Sequence, residues 1–267
     1  MNSIDLSRFG IDQKIDLDGE VVESSVVVGG TLLFFFEENH ACDASVQSCL
    51  RMACRIIDAG IIKTVCIEGY SCVAYQNKEL QNLGKRALMQ QIADDTLIAN
   101  PLRNTKKHIL FGNTLCVLRP AVNIVGIEDI EAYNNAESVL NSQRERILDG
   151  AFEAAKEVVD GLSSLKNIDD PAMRQKSFKR PSVNRSKKIN EDMEKLVVIP
   201  RDQAFIRNIV QLVKPNETGH AAIVNVGRAH HDRVIGGLRA NGGYSILRIC
   251  PQGLEEYDKK LRNALVL

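Results

Sequence analysis

Tryptophan is absent from this 267-residue chain, and aromatic residues make up only 5% of it. Proteins that stack bases or sugars on aromatic platforms ordinarily carry more. Net charge is absent too: 34 Lys and Arg balance 34 Asp and Glu. No overall field therefore draws the chain to nucleic acid, an anionic membrane or an acidic substrate. The seven cysteines (Cys42, Cys49, Cys54, Cys66, Cys72, Cys116 and Cys250) include no CxxC pair. Zinc-finger and thioredoxin-type frameworks thus find no support. The longest apolar run, 26–36, holds two glycines and is too short to span a bilayer. The first twenty residues lack a basic stretch followed by an apolar one, so no signal peptide is expected. GxxxxGK[ST], a GxGxxG placed after a strand, HExxH and GxSxG are all missing.

What is present suits a cytoplasmic α/β protein. Hydrophobic residues make up 44% of the chain, and its length is enough to bury a real core. Most cysteines sit in apolar runs, where a free thiol behaves as a small hydrophobe; they read as reduced and structural.

Hydrophobic periodicity supplies the elements. Residues 26–36 (VVVGGTLLFFF) read as a buried strand, or a hairpin bent at Gly29-Gly30, that breaks into acid at Glu37-Glu38. Asp43 is the N-cap candidate of a helix carrying Val46, Leu50, Ala53, Cys54 and Ile57 at helical spacing, with Gly60 closing it. Residues 61–68 (IIKTVCIE) form the next strand, and strand–helix–strand in this order implies a parallel sheet. Residues 76–100 read as helical surface. Residues 108–112 and 115–118 are short strand candidates, with a turn at Asn113. The run 121–126 is a third core strand, followed by a helical stretch over 131–165. Residues 174–188 carry seven basic residues and no acid. With the chain neutral overall, a solvated loop is favoured over a phosphate-binding patch. Residues 201–213 read as an amphipathic helix with Phe205 at the edge of its apolar face. The run 221–226 is a fourth core strand, 232–241 a helix, and 244–249 a final strand.

The expected architecture is one α/β domain over 1–267: a largely parallel sheet with helices on both faces and helical insertions at 76–108 and 131–195. Ligands of such sheets bind beyond the carboxyl ends of the strands. His40, Glu68, Glu128-Asp129 and His230-His231 all fall at those ends. Two imidazoles and several carboxylates converging on one edge could hold a divalent metal (Mn, Co or Zn). Equally, one His could act as general base beside a Glu. Arg201, opening its helix, could clamp a carboxylate or phosphate, or simply pair with Asp202. Glu38, Asp129, His231 and Tyr70 complete the candidate set as substrate-binding residues.

The run FFFEENHACDASVQSCLRMACRIIDAGIIKTVCIEG resembles the opening of the superfamily that joins Tiki proteases, TraB/PrgY-like proteins, erythromycin esterases and ChaN-like haem-binding proteins. Those proteins place a GxxH-like or GExxH-like motif after strand one and a Glu after strand two. Here the motifs read Glu37-Glu38-Asn39-His40, with Glu37 where the family often has Gly, and Ile67-Glu68-Gly69. VNIVGIEDIEAY is similar to the third element and RDQAFIRNIV to the Arg-led helix. The segment AIVNVGRAHHDRVIGGLRANGGYSILRI is similar to the closing GxxH, here Gly227 and His230. The resemblance implies His40, Glu68 and His230 as catalytic or metal-binding residues and Arg201 as a substrate or charge-stabilising group. It implies a hydrolase of an ester or amide bond acting on a small-molecule or peptide substrate. The alternatives are a non-catalytic haem-, metal- or ligand-binding protein, with Tyr70 or Tyr75 on haem iron, or a regulatory protein with a vestigial site. Oligomeric state stays open.

Overall fold

The computed structural model describes residues 2–39, 42–71, 108–142 and 191–265. The expected helix over 76–100, the helical stretch beyond 142, the basic segment 174–188, Tyr75, Cys72 and His40 lie outside these residues. The chain forms two compact units, one of residues 1–130 and 202–267, the other of residues 131–201.

The first unit is α/β. A small antiparallel ribbon of β1 (Asn2–Asp5) and β2 (Lys14–Leu17) precedes the main sheet. The sheet is built from β3 (Gly19–Ser25), β4 (Thr31–Glu38), β5 (Ile62–Ser71), β6 (Asn123–Glu128), β7 (Ala221–Gly227) and β8 (Tyr244–Pro251). Its order is β3-β8-β4-β7-β5-β6; only β3 is antiparallel, at the edge. β4, β5 and β7 are apolar on both faces because helices cover both sides. One face carries Phe34, Phe36, Val65, Ile67 and Ile223, packed under α1 (Asp43–Asp58) and α2 (His108–Leu118). The other carries Phe35, Cys66, Val224 and Val226.

Several expectations need correction. The strand over 26–36 begins at Thr31 and runs through both acids, Glu37 and Glu38, which are buried. Residues 26–30 are instead a connection from β3. Gly30 N–H donates to the Val27 carbonyl, Gly29 takes a left-handed φ of +74°, and Val28 stands 98% exposed. A valine run is not a strand where no neighbouring strand can pair with it. Asp43 is the first residue of α1, and Cys42 occupies the cap; Gly60 does close the helix, with φ +76°. The two strands expected within 108–118 are one helix, α2. Its β-prone sequence is overridden by packing, since Phe111 lies about one turn before Leu115 and Cys116 and all three bury in the cluster shared with α1 and β5. The strand expected over 121–126 is shifted to β6, and Glu128 ends it rather than following it. The ribbon, β3 and the C-terminal helix were not expected.

A helix follows β6 over 130–142 and is labelled α3. In the second unit a helical run begins at 191, and Glu194–Val198 takes π geometry directly before Pro200. A proline ring collides with the carbonyl four residues back, and the wider π turn relieves this. The run continues as α4 (Ile199–Leu212), on which Phe205 is fully buried in the core rather than at an edge. After β7 come a short 3-10 turn (Arg228–His230), α5 (His231–Asn241), β8 and α6 (Leu254–Leu265).

α5 holds adjacent glycines with opposite surroundings. A Cβ on Gly236 would meet nothing within 4 Å, whereas one on Gly237 would lie 2.2 Å from Ile206 Cδ1 of α4. Gly236→Ala is therefore expected to stabilise by roughly 0.5–1 kcal/mol through helix propensity. Gly237→Ala, with the same propensity gain, is expected to destabilise by about 1–3 kcal/mol through overpacking. Urea unfolding of the two variants checks the opposite signs.

Candidate functional site

Parallel register brings the carboxyl ends of β4, β7 and β5 together: Glu38 pairs with Gly227, and Asn225 with both Phe36 and Ile67. Because side chains alternate along a strand, the edge presents one polar group to each face.

On the face under α4 and α5 sits a chain of Asp202, His230 and Glu68. Asp202, in the first turn of α4, is fully buried, and its Oδ1 is 2.5 Å from His230 Nδ1. A carboxylate only accepts, so Nδ1 carries a proton, and in the neutral imidazole Nε2 keeps its lone pair. Nε2 lies 3.6 Å from Glu68 Oε1. The other Glu68 oxygen accepts the Gly227 backbone N–H at 2.6 Å. Gly227 ends β7 and opens the turn carrying His230, so the carboxylate pins the turn and faces the imidazole at once. Phe205 packs its ring against His230 at 5.2 Å, 76° from parallel. His230 is 6% exposed and Glu68 7%.

The opposite face holds Glu38, fully buried, which accepts a 2.5 Å hydrogen bond from Asn225 Nδ2. Glu37 alternates to the α5 side and accepts from Arg248 Nε at 2.5 Å, and Arg248 also pairs with Asp232 at 2.6 Å. This links the end of β4 to α5. Burial and the nearby Glu38 push the Cys49 thiol well up, and burial holds Cys116 and Cys250 at about 11. These three are neutral thiols near pH 7, consistent with a structural role.

Of the remaining candidates, His231 is fully buried. It donates from Nε2 to the Val226 carbonyl at 3.1 Å and meets Phe35 edge-on at 5.8 Å. It faces the core rather than a ligand. Asp129 pairs with Arg207 at 3.1 Å. Tyr70 lies on β5 two residues past Glu68. Arg201 belongs to the second unit, where its guanidinium lies 5.7 Å from the Tyr133 ring centroid.

Asp202 and Asn225 were missed by sequence reasoning. Asp202 had a signal, since it falls on the same helical stripe as Phe205 and Ile209, where an acid is out of place unless partnered. Asn225 interrupts an otherwise apolar strand in the same way.

His230 Nε2 and Glu68 Oε1 are donors that a divalent metal accepts. Among the described residues, however, no three His, Cys, Asp or Glu side chains are grouped to hold one. A metal would need a further ligand. No described helix is long and apolar enough to cross a membrane. Comparison with known proteins finds no matching family model, curated protein or solved structure.

Proposed function

We propose that the protein is a hydrolase of an ester or amide bond that uses water activated by His230. The observation carrying this reading is the Asp202–His230–Glu68 chain, in which a buried carboxylate presets the tautomer and aims the free lone pair at the sheet edge. Fixing the tautomer in advance is what a general base requires. In the proposed step Nε2 takes a proton from water as the water oxygen attacks the carbonyl carbon. The resulting imidazolium, stabilised by Asp202, returns the proton to the leaving alcohol or amine, and the other product is a carboxylic acid. Glu68 orients the water and holds the Gly227 turn. If a metal binds here, His230 Nε2 and Glu68 would be its ligands and it would supply Lewis acidity. The order of motifs that resembles the Tiki and erythromycin esterase superfamily fits the same reading.

A panel of activated esters and amides, run beside metal analysis of the purified protein, tests it. At least one substrate should be turned over, and Glu68→Gln should lower kcat on it by about a hundredfold while the protein stays folded. The near-complete burial of His230 and Glu68 favours a second reading, a ligand-binding or regulatory protein that keeps the chain for structure. Absence of any turnover, with Glu68→Gln lowering only Tm, would select it.

A further inference from the structure

Asp18 joins β2 to β3 and is buried. Its carbonyl accepts from the Ser48 hydroxyl of α1 and, at 3.3 Å, from the Gln252 N–H just before α6. Its carboxylate holds Arg51 of α1: Oδ2 accepts from Nε at 2.5 Å and lies 2.5 Å from Nη2. One buried residue thus ties three segments together, and a cleft of two adjoining lobes lies between them. The lobes share Gln252, Gly253 and Glu256. One, of about 530 Å³, is lined by Gln47 and Arg51; the other, of about 330 Å³, by Glu20 and Glu255. The residues lining them include no member of the Asp202–His230–Glu68 chain.

Asp18 occupies Nε and the near side of Nη2, so the outer edge of the guanidinium, one N–H each from Nη1 and Nη2, is turned away from it. Among the described residues the Arg51 guanidinium has no partner besides Asp18, and the Glu256 carboxylate has none. We propose that this cleft binds a small molecule with a carboxylate at one end and an ammonium or guanidinium group at the other, the chemistry of a basic amino acid. The carboxylate takes the outer edge of Arg51 as a bidentate pair. The hydrogen bond from Nε to a buried acceptor sets the plane of that fork in advance, which reduces the entropy lost when the ligand arrives. The cation enters the lobe lined by Glu20, Glu255 and Glu256, where no Lys or Arg stands among the lining residues. Each lobe falls within the range of about 300–1,000 Å³ usual for small-molecule sites.

Calorimetric titration of the full chain with L-lysine and, separately, L-arginine tests the proposal. Wild type should bind at least one of them. Cadaverine and agmatine, the same molecules without the carboxylate, should bind at least about tenfold more weakly. L-norleucine, which lacks the side-chain cation, should bind about threefold more weakly. Arg51→Lys keeps a cation beside the buried Asp18 but loses the fork, and should weaken binding at least about fivefold. Glu256→Gln removes a carboxylate that holds nothing in the fold; it should keep the wild-type Tm and weaken binding about threefold. Where Arg51→Lys lowers Tm, Glu256→Gln and the amines decide. Binding of neither amino acid, an amine bound as tightly as its parent amino acid, or unchanged affinity in Glu256→Gln or in folded Arg51→Lys overturns the proposal. The result is independent of whether the protein turns over an ester or amide.

Discussion

Asp202→Asn is expected to lower kcat on any ester or amide substrate by roughly four orders of magnitude. The carboxylate accepts from His230 Nδ1, so that in the neutral imidazole Nε2 is the unprotonated nitrogen. An asparagine can instead donate its amide N–H to Nδ1, which moves the proton to Nε2 and makes the imidazole a donor where a base is needed. His230→Gln should cost about as much, since glutamine supplies no base. Residues that act as one unit are not additive, so the double variant should be no slower than His230→Gln alone. Single-turnover kinetics and Tm on the three proteins measure this. The ring nitrogen NMR signals of His230 should report the changed tautomer in Asp202→Asn. A double variant slower by the product of the single effects would show that Asp202 and His230 do not work together.

The second large effect concerns acid. Burial, opposed by the bond to the Val226 carbonyl, pushes the His231 imidazole down to about 4 from its usual 6.5. The unfolded chain therefore takes up a proton on this residue at a higher pH than the folded one. Above pH 6.5 both states are neutral and stability is complete. As the pH falls from 6.5 toward 4, the unfolded state gains protons first and stability is lost. A depression of this size corresponds to a loss on the order of 3 kcal/mol across that window. The His231 Nδ1 atom is buried without a hydrogen-bond partner, so the folded state offers the added proton no acceptor there. Replacement by leucine keeps an apolar body beside Phe35, leaves the Val226 carbonyl without this donor, and should cost about 1 kcal/mol at pH 7. It should also flatten the decline between pH 6.5 and 4. Urea midpoints across that range compare the two proteins; an equally steep decline in His231→Leu would show that other groups govern acid sensitivity.

The apolar runs 26–36, 61–68, 121–126 and 221–226 stood out by composition, and strand–helix–strand order implied that their ends share an edge. The structure places them on strands that are parallel and in register. The valines at 26–28 misled because a β-branched run reads as a strand whether or not a neighbour can pair with it. The helix 108–118 misled because its packing against α1 and β5 is a long-range fact.

By itself the sequence determined the α/β class, the order of the core strands along the chain, and several of the polar residues at their carboxyl ends. Only the tertiary structure decided which way each member of an adjacent pair faces. Successive helical residues point about 100° apart, so Arg201 and Asp202 cannot share a direction, and neither can His230 and His231. Packing of α4 against the sheet turns Asp202 into the core beside His230, and the turn out of β7 sends His231 toward Phe35. The spacing of residues along a chain lists such neighbours together; the burial of one helical face separates them.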